Sequence, residues 1–164
     1  MTRLDRKSKF ERLLQFSRGR LAGIARAYAG NDDAEDLLQE ILLQIWRGLD
    51  GFQQRSSIET WCYRVALNTS ISWRRTTGRR KHWLTREAAD LTQLPGGADG
   101  HDPVQLLERF LQTLSDTDRA LVLMYLDDLS GSEMAEITGL SESAVRVKIH
   151  RIKCRLTEWN ASDK

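Results

Sequence analysis

Proline is confined to one place in this chain. Both prolines, Pro95 and Pro103, fall between Thr85 and Pro103, in company with Gly96, Gly97 and Gly100. Proline lacks an amide donor and clashes with the preceding turn, and glycine forfeits backbone entropy, so this stretch cannot carry a helix through. On either side of it proline is absent, apolar residues recur at spacings of three and four, and alternating β-branched runs do not occur. The predicted fold class is all-α, with two small helical domains at residues 1–84 and 104–164 joined by a flexible linker over 85–103. The linker is also acidic, carrying Glu87, Asp90, Asp99 and Asp102 against Arg86 alone. Each domain is expected to bury a small core of its own, near the lower limit of independent stability.

Composition excludes several classes of function. With 40% hydrophobic and 29% charged residues among 164, the chain is neither disordered nor fibrous. No apolar run reaches the length of a membrane span, and the start, MTRLDRKSKFERLL, has no apolar signal segment, so a cytoplasmic protein that is not membrane-embedded is expected. Cys62 and Cys154 have no second cysteine or histidine at ligand spacing, which argues against a disulfide framework or a zinc site; both read as small packing residues. His82, His101 and His150 are remote from one another, and there is no glycine-rich phosphate loop, metal carboxylate pair or nucleophile triad. No metal, cofactor, small-molecule substrate or enzymatic activity is therefore expected. The net charge of +2 conceals a division: residues 1–85 hold sixteen Lys and Arg against nine Asp and Glu, while residues 86–164 hold nine against fourteen.

Plotted as a helix, Asp33 to Leu49 places Ala34, Leu37, Leu38, Ile41, Leu42, Ile45, Trp46 and Leu49 on one half of the wheel, the expected core face. The other half holds Asp36, Gln39, Glu40, Gln44 and Arg47, with Leu43 isolated among them. A polar face with one apolar anchor suits docking against helices of another protein. Ser57 to Trp73 predicts a further helix, with Ile58, Trp61, Cys62, Val65 and Thr69 on one face and a hydrogen-bonding row of Thr60, Arg64, Asn68 and Arg75 on another. From Arg74 to Arg86 there are six basic residues and no acidic one, interleaved with His82 and Trp83. Cations among planar side chains fit a surface that tracks phosphates and stacks on exposed bases.

Leu126 to Leu156 has the punctuation of a helix-turn-helix. Ser130 and Glu133 are spaced as a capping box, Met134, Ile137 and Leu140 follow as buried positions, and Gly139 supplies a left-handed helix end. Ser141 is placed to cap a second helix whose Val145, Ile149, Ile152 and Leu156 face inward. Its outer face shows Ser143, Arg146, Val147 and His150, flanked by Lys148, Arg151, Lys153 and Arg155. A basic helix of this kind fits the major groove, early residues reaching base edges and later cations neutralising phosphates.

The residues alone leave two other readings open: a helix-turn-helix regulator whose first domain senses or dimerises, and an adaptor whose Leu43 face binds some other protein. Three pieces taken together, DAEDLLQEILLQIWRGLDGF, SSIETWCYRVALNTSISWRR and LSDTDRALVLMYLDDLSGSEMAEITGLSESAVRVKIHRIKCRL, resemble the extracytoplasmic-function sigma factors of the sigma-seventy superfamily over nearly the whole chain. The resemblance implies that Asp36, Gln39, Glu40 and Leu43 bind the β′ clamp helices of core RNA polymerase. It implies that the loop Phe52 to Ser57, including Gln53, receives a base flipped from the non-template strand of the −10 element. Thr60, Arg64, Asn68, Arg74, Arg75, Arg79, Arg80 and Lys81 would hold that strand and the adjoining duplex. Ser143, Arg146, Val147 and His150 would read the −35 element while Lys148 and Arg151 grip phosphates. Implied partners are core polymerase, through the β′ clamp helices and the β flap, promoter DNA, and a cognate anti-sigma factor.

Overall fold

The computed structural model describes residues 3–87 and 103–162. Most of the expected linker thus lies outside the described residues. Among those described there are six α-helices, one 3-10 turn and no strand: α1 (Arg3–Gly48), the 3-10 turn Leu49–Gly51, α2 (Ile58–Glu87), α3 (Pro103–Gln112), α4 (Asp116–Leu126), α5 (Gly131–Thr138) and α6 (Glu142–Ser162).

Helix α1 is two arms joined at Gly30, whose φ of 77° and ψ of 179° break the helical path. Only glycine takes that conformation without a steric cost, and the bend folds the second arm back so that both arms pack on α2. Leu21, Ile24 and Ala25 come from the first arm, and Leu37, Ile41 and Ile45 from the second; all are at most 1% exposed. The four-residue spacing of the second set forms a single inward ridge, and each fully buried aliphatic side chain contributes about 1.5–3 kcal/mol. Gly48 lets the chain pass close over α2, since a Cβ there would lie 2.9 Å from the Trp61 ring.

The expected orientation of α2 requires correction. Past the first turn, the buried residues among the described side chains are Cys62, Tyr63, Ala66, Leu67 and Ser70, whereas Ile58, Trp61, Val65 and Thr69 are half-buried, so the helix is turned from the predicted face. The cause is the second group of helices, which covers Tyr63 from the other side. Buried Ser70 satisfies its hydroxyl on the Ala66 carbonyl (2.8 Å). The helix also continues beyond Trp73 through the basic stretch to Glu87.

Helices α3 to α6 pack around Phe110, Leu114, Leu121, Met124, Met134, Val145 and Ile152. Each cap read from the sequence is present: Ser130 and Glu133 form a reciprocal capping box, Gly139 ends α5 at φ 74°, and Ser141 Oγ accepts from the Ala144 amide (3.2 Å). Separate cores were expected, but the buried apolar cluster runs without interruption from α1 and α2 into α3 to α6. At the seam lies Arg119, fully buried, its guanidinium 5.1 Å from the Tyr28 ring centre and donating to the carbonyls of Leu111 (2.9 Å) and Leu114 (3.4 Å). Cys154 is a further correction: it lies exposed on α6, and only Cys62 is a buried packing residue.

Candidate functional site

The outer side of the second arm of α1 has the predicted character. Asp36 and Gln39 are exposed, Glu40 is half-buried and accepts from Gln44 Nε2 (2.7 Å), and Leu43 stands among them 39% exposed. The arm's end is fixed by Trp46, which meets Phe10 edge-on and carries the Arg6 guanidinium over its ring at 4.1 Å; Arg6 also pairs with Asp50. A groove of about 670 Å³ separates this face from α2, with Asp36, Glu40 and Gln44 on one wall and Asn68, Ser72, Trp73 and Thr76 on the other. Two faces that looked independent in the sequence thus border one groove.

The loop into α2 is pinned at both ends. Phe52 leans on Trp61 at 5.3 Å with Lys9 Nζ 5.4 Å from its ring centre, and Gln54 sits at φ 54°, a left-handed conformation uncommon for a side chain of its kind. Gln53 and Arg55 are exposed. Ser57 Oγ accepts from the Thr60 amide (3.0 Å) and donates to Thr60 Oγ1 (2.8 Å). Thr60 is consequently buried, at 5% exposure, and leaves the predicted surface row: its hydroxyl serves the start of α2. Lys9, far upstream, is the loop neighbour that sequence reasoning missed.

Further along α2, Asn68 and Arg75 are exposed. Arg64 and Arg74 are half-buried and engaged, Arg64 with Glu136 and Arg74 with Asp116. Arg79, Arg80 and Lys81 continue on the helical backbone, and their side chains lie outside the described ones. On α6 the outward row is open: Ser143, Arg146, His150 and Arg151 are exposed and Val147 is 48% exposed. Ser143 Oγ shares a hydrogen bond with Ser141 Oγ (3.0 Å), and His150 Nε2 lies 3.8 Å from Cys154 Sγ. Lys148 departs from the expected phosphate grip, because it turns toward α4 and donates to Asp118 Oδ1 (3.0 Å). Among the described residues no cluster of His, Cys, Asp and Glu could hold a metal, and no helix is long and apolar enough to cross a membrane.

Electrostatics separates structural groups from available ones. Burial, and then the Asp127 carboxylate that Tyr63 donates to, drive the Tyr63 phenol well above its usual range, and burial does the same to Tyr28. Burial pushes the Cys62 thiol up to about 12. The Glu133 carboxyl is held low by the backbone and side chain of Ser130.

Known proteins decide what these faces belong to. Residues 14–80 match the family described as Sigma-70 region 2, and residues 105–156 match Sigma-70 region 4. The chain belongs to the sigma-70 family, among its extracytoplasmic-function members. It is similar to the ECF RNA polymerase sigma-E factor of Haemophilus influenzae, 26% identical over 160 residues, covering 90% of this chain and 85% of the relative. The Escherichia coli sigma-E factor is 27% identical over 147 residues, 82% of this chain and 77% of the relative. Two solved structures share the fold. One is RpoE of Bartonella quintana in complex with the anti-sigma factor NepR, with a TM-score of 0.74, 23% identity and coverage of 95% of this chain and 99% of that one. The other is CnrH in complex with the cytosolic domain of CnrY, with a TM-score of 0.71, 22% identity and coverage of 96% and 91%. This sigma factor directs transcription initiation, and the helices of its two matched regions carry all the faces described above.

Proposed function

We propose that residues 1–84 and 104–164 act as two domains that bind core RNA polymerase and position it on a two-part promoter. The outer face of α1, with Asp36, Gln39, Glu40 and Leu43, docks on the β′ clamp helices, and α3 to α6 engage the β flap. The loop Phe52 to Ser57 captures a base of the −10 element, and Arg64, Asn68, Arg74, Arg75, Arg79, Arg80 and Lys81 hold the separated strand. Ser143, Arg146, Val147 and His150 read the −35 element in the major groove, where the Val147 methyl groups suit a thymine methyl and Arg146 a guanine edge. The observation that carries this reading is the open row on α6, cationic and hydrogen-bonding with one exposed valine, on a helix whose first turn is capped by Ser141.

No bond chemistry is assigned to this chain: the family is one of non-enzymatic initiation factors, and the polymerase makes the RNA. The chain works where the polymerase is, in the cytoplasm. The complex of the Bartonella quintana sigma factor with the anti-sigma factor NepR supports an anti-sigma partner for this chain as well. Run-off transcription with purified core polymerase on a library of genomic promoter fragments tests the reading. Initiation from a subset of fragments only when the chain is added is expected, and a folded chain that gives none on any fragment refutes it.

A further inference from the structure

The first turns of α1 lie against the loop that leads into α2, and their charges do not balance there. Arg6 is paired with Asp50, and Lys7 reaches Glu11 (3.7 Å). Lys9 is placed differently. Its Nζ lies 5.4 Å from the centre of the Phe52 ring, and among the described residues no carboxylate pairs with it. Phe52 is braced in turn by Trp61 at 5.3 Å, which fixes the ring under the ammonium. A ring face attracts the charge, for about 0.5–1 kcal/mol at an exposed site, but leaves the three N–H donors of the ammonium without an oxygen. Arg12, three residues on and so on the same side of α1, is exposed, as is Arg55 in the loop itself, and neither has a carboxylate partner among the described residues. The loop and the arm beside it thus carry unbalanced positive charge, with Asp50 already taken by Arg6.

The nucleotide proposed to enter this loop brings the missing anion. A base leaves its stack by a swing of its own backbone, so its phosphates arrive with it. A cation that meets one releases the counterions condensed on the strand, and lysine suits the task as a point charge that needs no fixed fork geometry. We infer that Lys9, on the first arm of α1, grips a phosphate of the nucleotide captured by the loop Phe52 to Ser57, with the Phe52 ring holding its ammonium in place. The inference rests on the base capture proposed above. It makes the first turns of α1 one wall of the capture site. A lysine that only propped Phe52 would neutralise no phosphate, so the two roles differ in their dependence on salt.

The test uses holoenzyme assembled from core polymerase and the full chain, titrated with a labelled mixed-sequence single-stranded DNA of about 20 nucleotides across a range of salt. Lys9→Gln should weaken binding roughly two- to fivefold. It should also make the slope of log affinity against log salt shallower by about 0.7, the value for one phosphate on a single strand. Lys9→Arg should restore both. Lys7→Gln removes the same charge from an exposed neighbouring position and should change the slope by less than about half as much. Phe52→Ala should cost about as much alone as together with Lys9→Gln, since both act on one contact. Weaker binding with an unchanged slope makes Lys9 a prop and overturns the inference. So do equal slopes for Lys7→Gln and Lys9→Gln, or additive losses in the double variant. Arg75→Gln, in the exposed part of the proposed strand-holding row, separates this failure from that of the wider reading. Wild-type slopes in both Arg75→Gln and Lys9→Gln reject strand holding altogether, whereas a shallower slope for Arg75→Gln with none for Lys9→Gln rejects the Lys9 contact alone.

Discussion

Replacing Leu43 isolates the docking face from the fold. Full burial of a leucine is worth about 1.5–3 kcal/mol, and Leu43 still shows 39% of its surface, so docking has about 0.6–1.2 kcal/mol left to gain there. Leu43→Ala should therefore weaken core polymerase binding about three- to eightfold. Leu43→Asp adds an unpaired carboxylate to a desolvated contact, beside Asp36 and Glu40, and should weaken it more than a hundredfold, since several kcal/mol are lost. Neither change touches the ridge of Leu37, Ile41 and Ile45, so the thermal midpoint should move by no more than about 3 °C. Fluorescence anisotropy of the labelled chain titrated with core polymerase gives the affinities, and circular dichroism gives the midpoint. Affinity of Leu43→Asp within twofold of wild type refutes the docking face. So does a large fall in midpoint, which would make Leu43 a core residue.

Other perturbations reach the remaining parts. Arg146→Ala should lose about 1–3 kcal/mol of discrimination at one base pair of the −35 element, while Arg151→Ala should weaken all duplexes alike and reduce the salt slope by about one; holoenzyme binding to matched and mismatched duplexes across salt distinguishes them. Because Ser130 depresses the Glu133 carboxyl, the capping box contributes stability above the usual glutamate pKa near 4.5 and loses it as pH falls through the lowered folded value. Amide exchange in α5 should accelerate over that acidic range, and Ser130→Ala, costing about 1 kcal/mol at neutral pH, should abolish the acid-dependent component. With the Cys62 thiol buried and pushed up to about 12 and Cys154 exposed, a thiol reagent at pH 8 should label one equivalent in the folded chain and two after denaturation. Rapid labelling of both in the native protein would contradict the placement of Cys62.

Much of this architecture was legible because its causes are local. A capping box spans four residues, a left-handed helix end needs one glycine, and a ridge of Leu37, Ile41 and Ile45 is visible in a single turn repeat, so α5, α6 and the second arm of α1 could be read without knowing what they pack on. The face of α2 could not. Tyr63 and Leu67 are as compatible with a surface as with a core until α4 and α5 lie over them, and Thr60 passes for a contact residue until Ser57 takes its amide. Cys154 fails in the opposite way, since its place on α6 is set by a helix phase that points it outward.

Composition and spacing by themselves determined that the chain is helical and that one face of α1 and one face of α6 look outward. Periodicity, caps and proline act over a few residues, and no distant partner can alter them. Only the tertiary structure decided where the charges go. Arg64 and Glu136 lie far apart in the chain, and nothing in either neighbourhood announces the other; the meeting is set by how α5 packs on α2. The +7 and −5 of the two halves were visible from the start, but charge is long-ranged and indifferent to sequence order, so its partner is chosen by the fold.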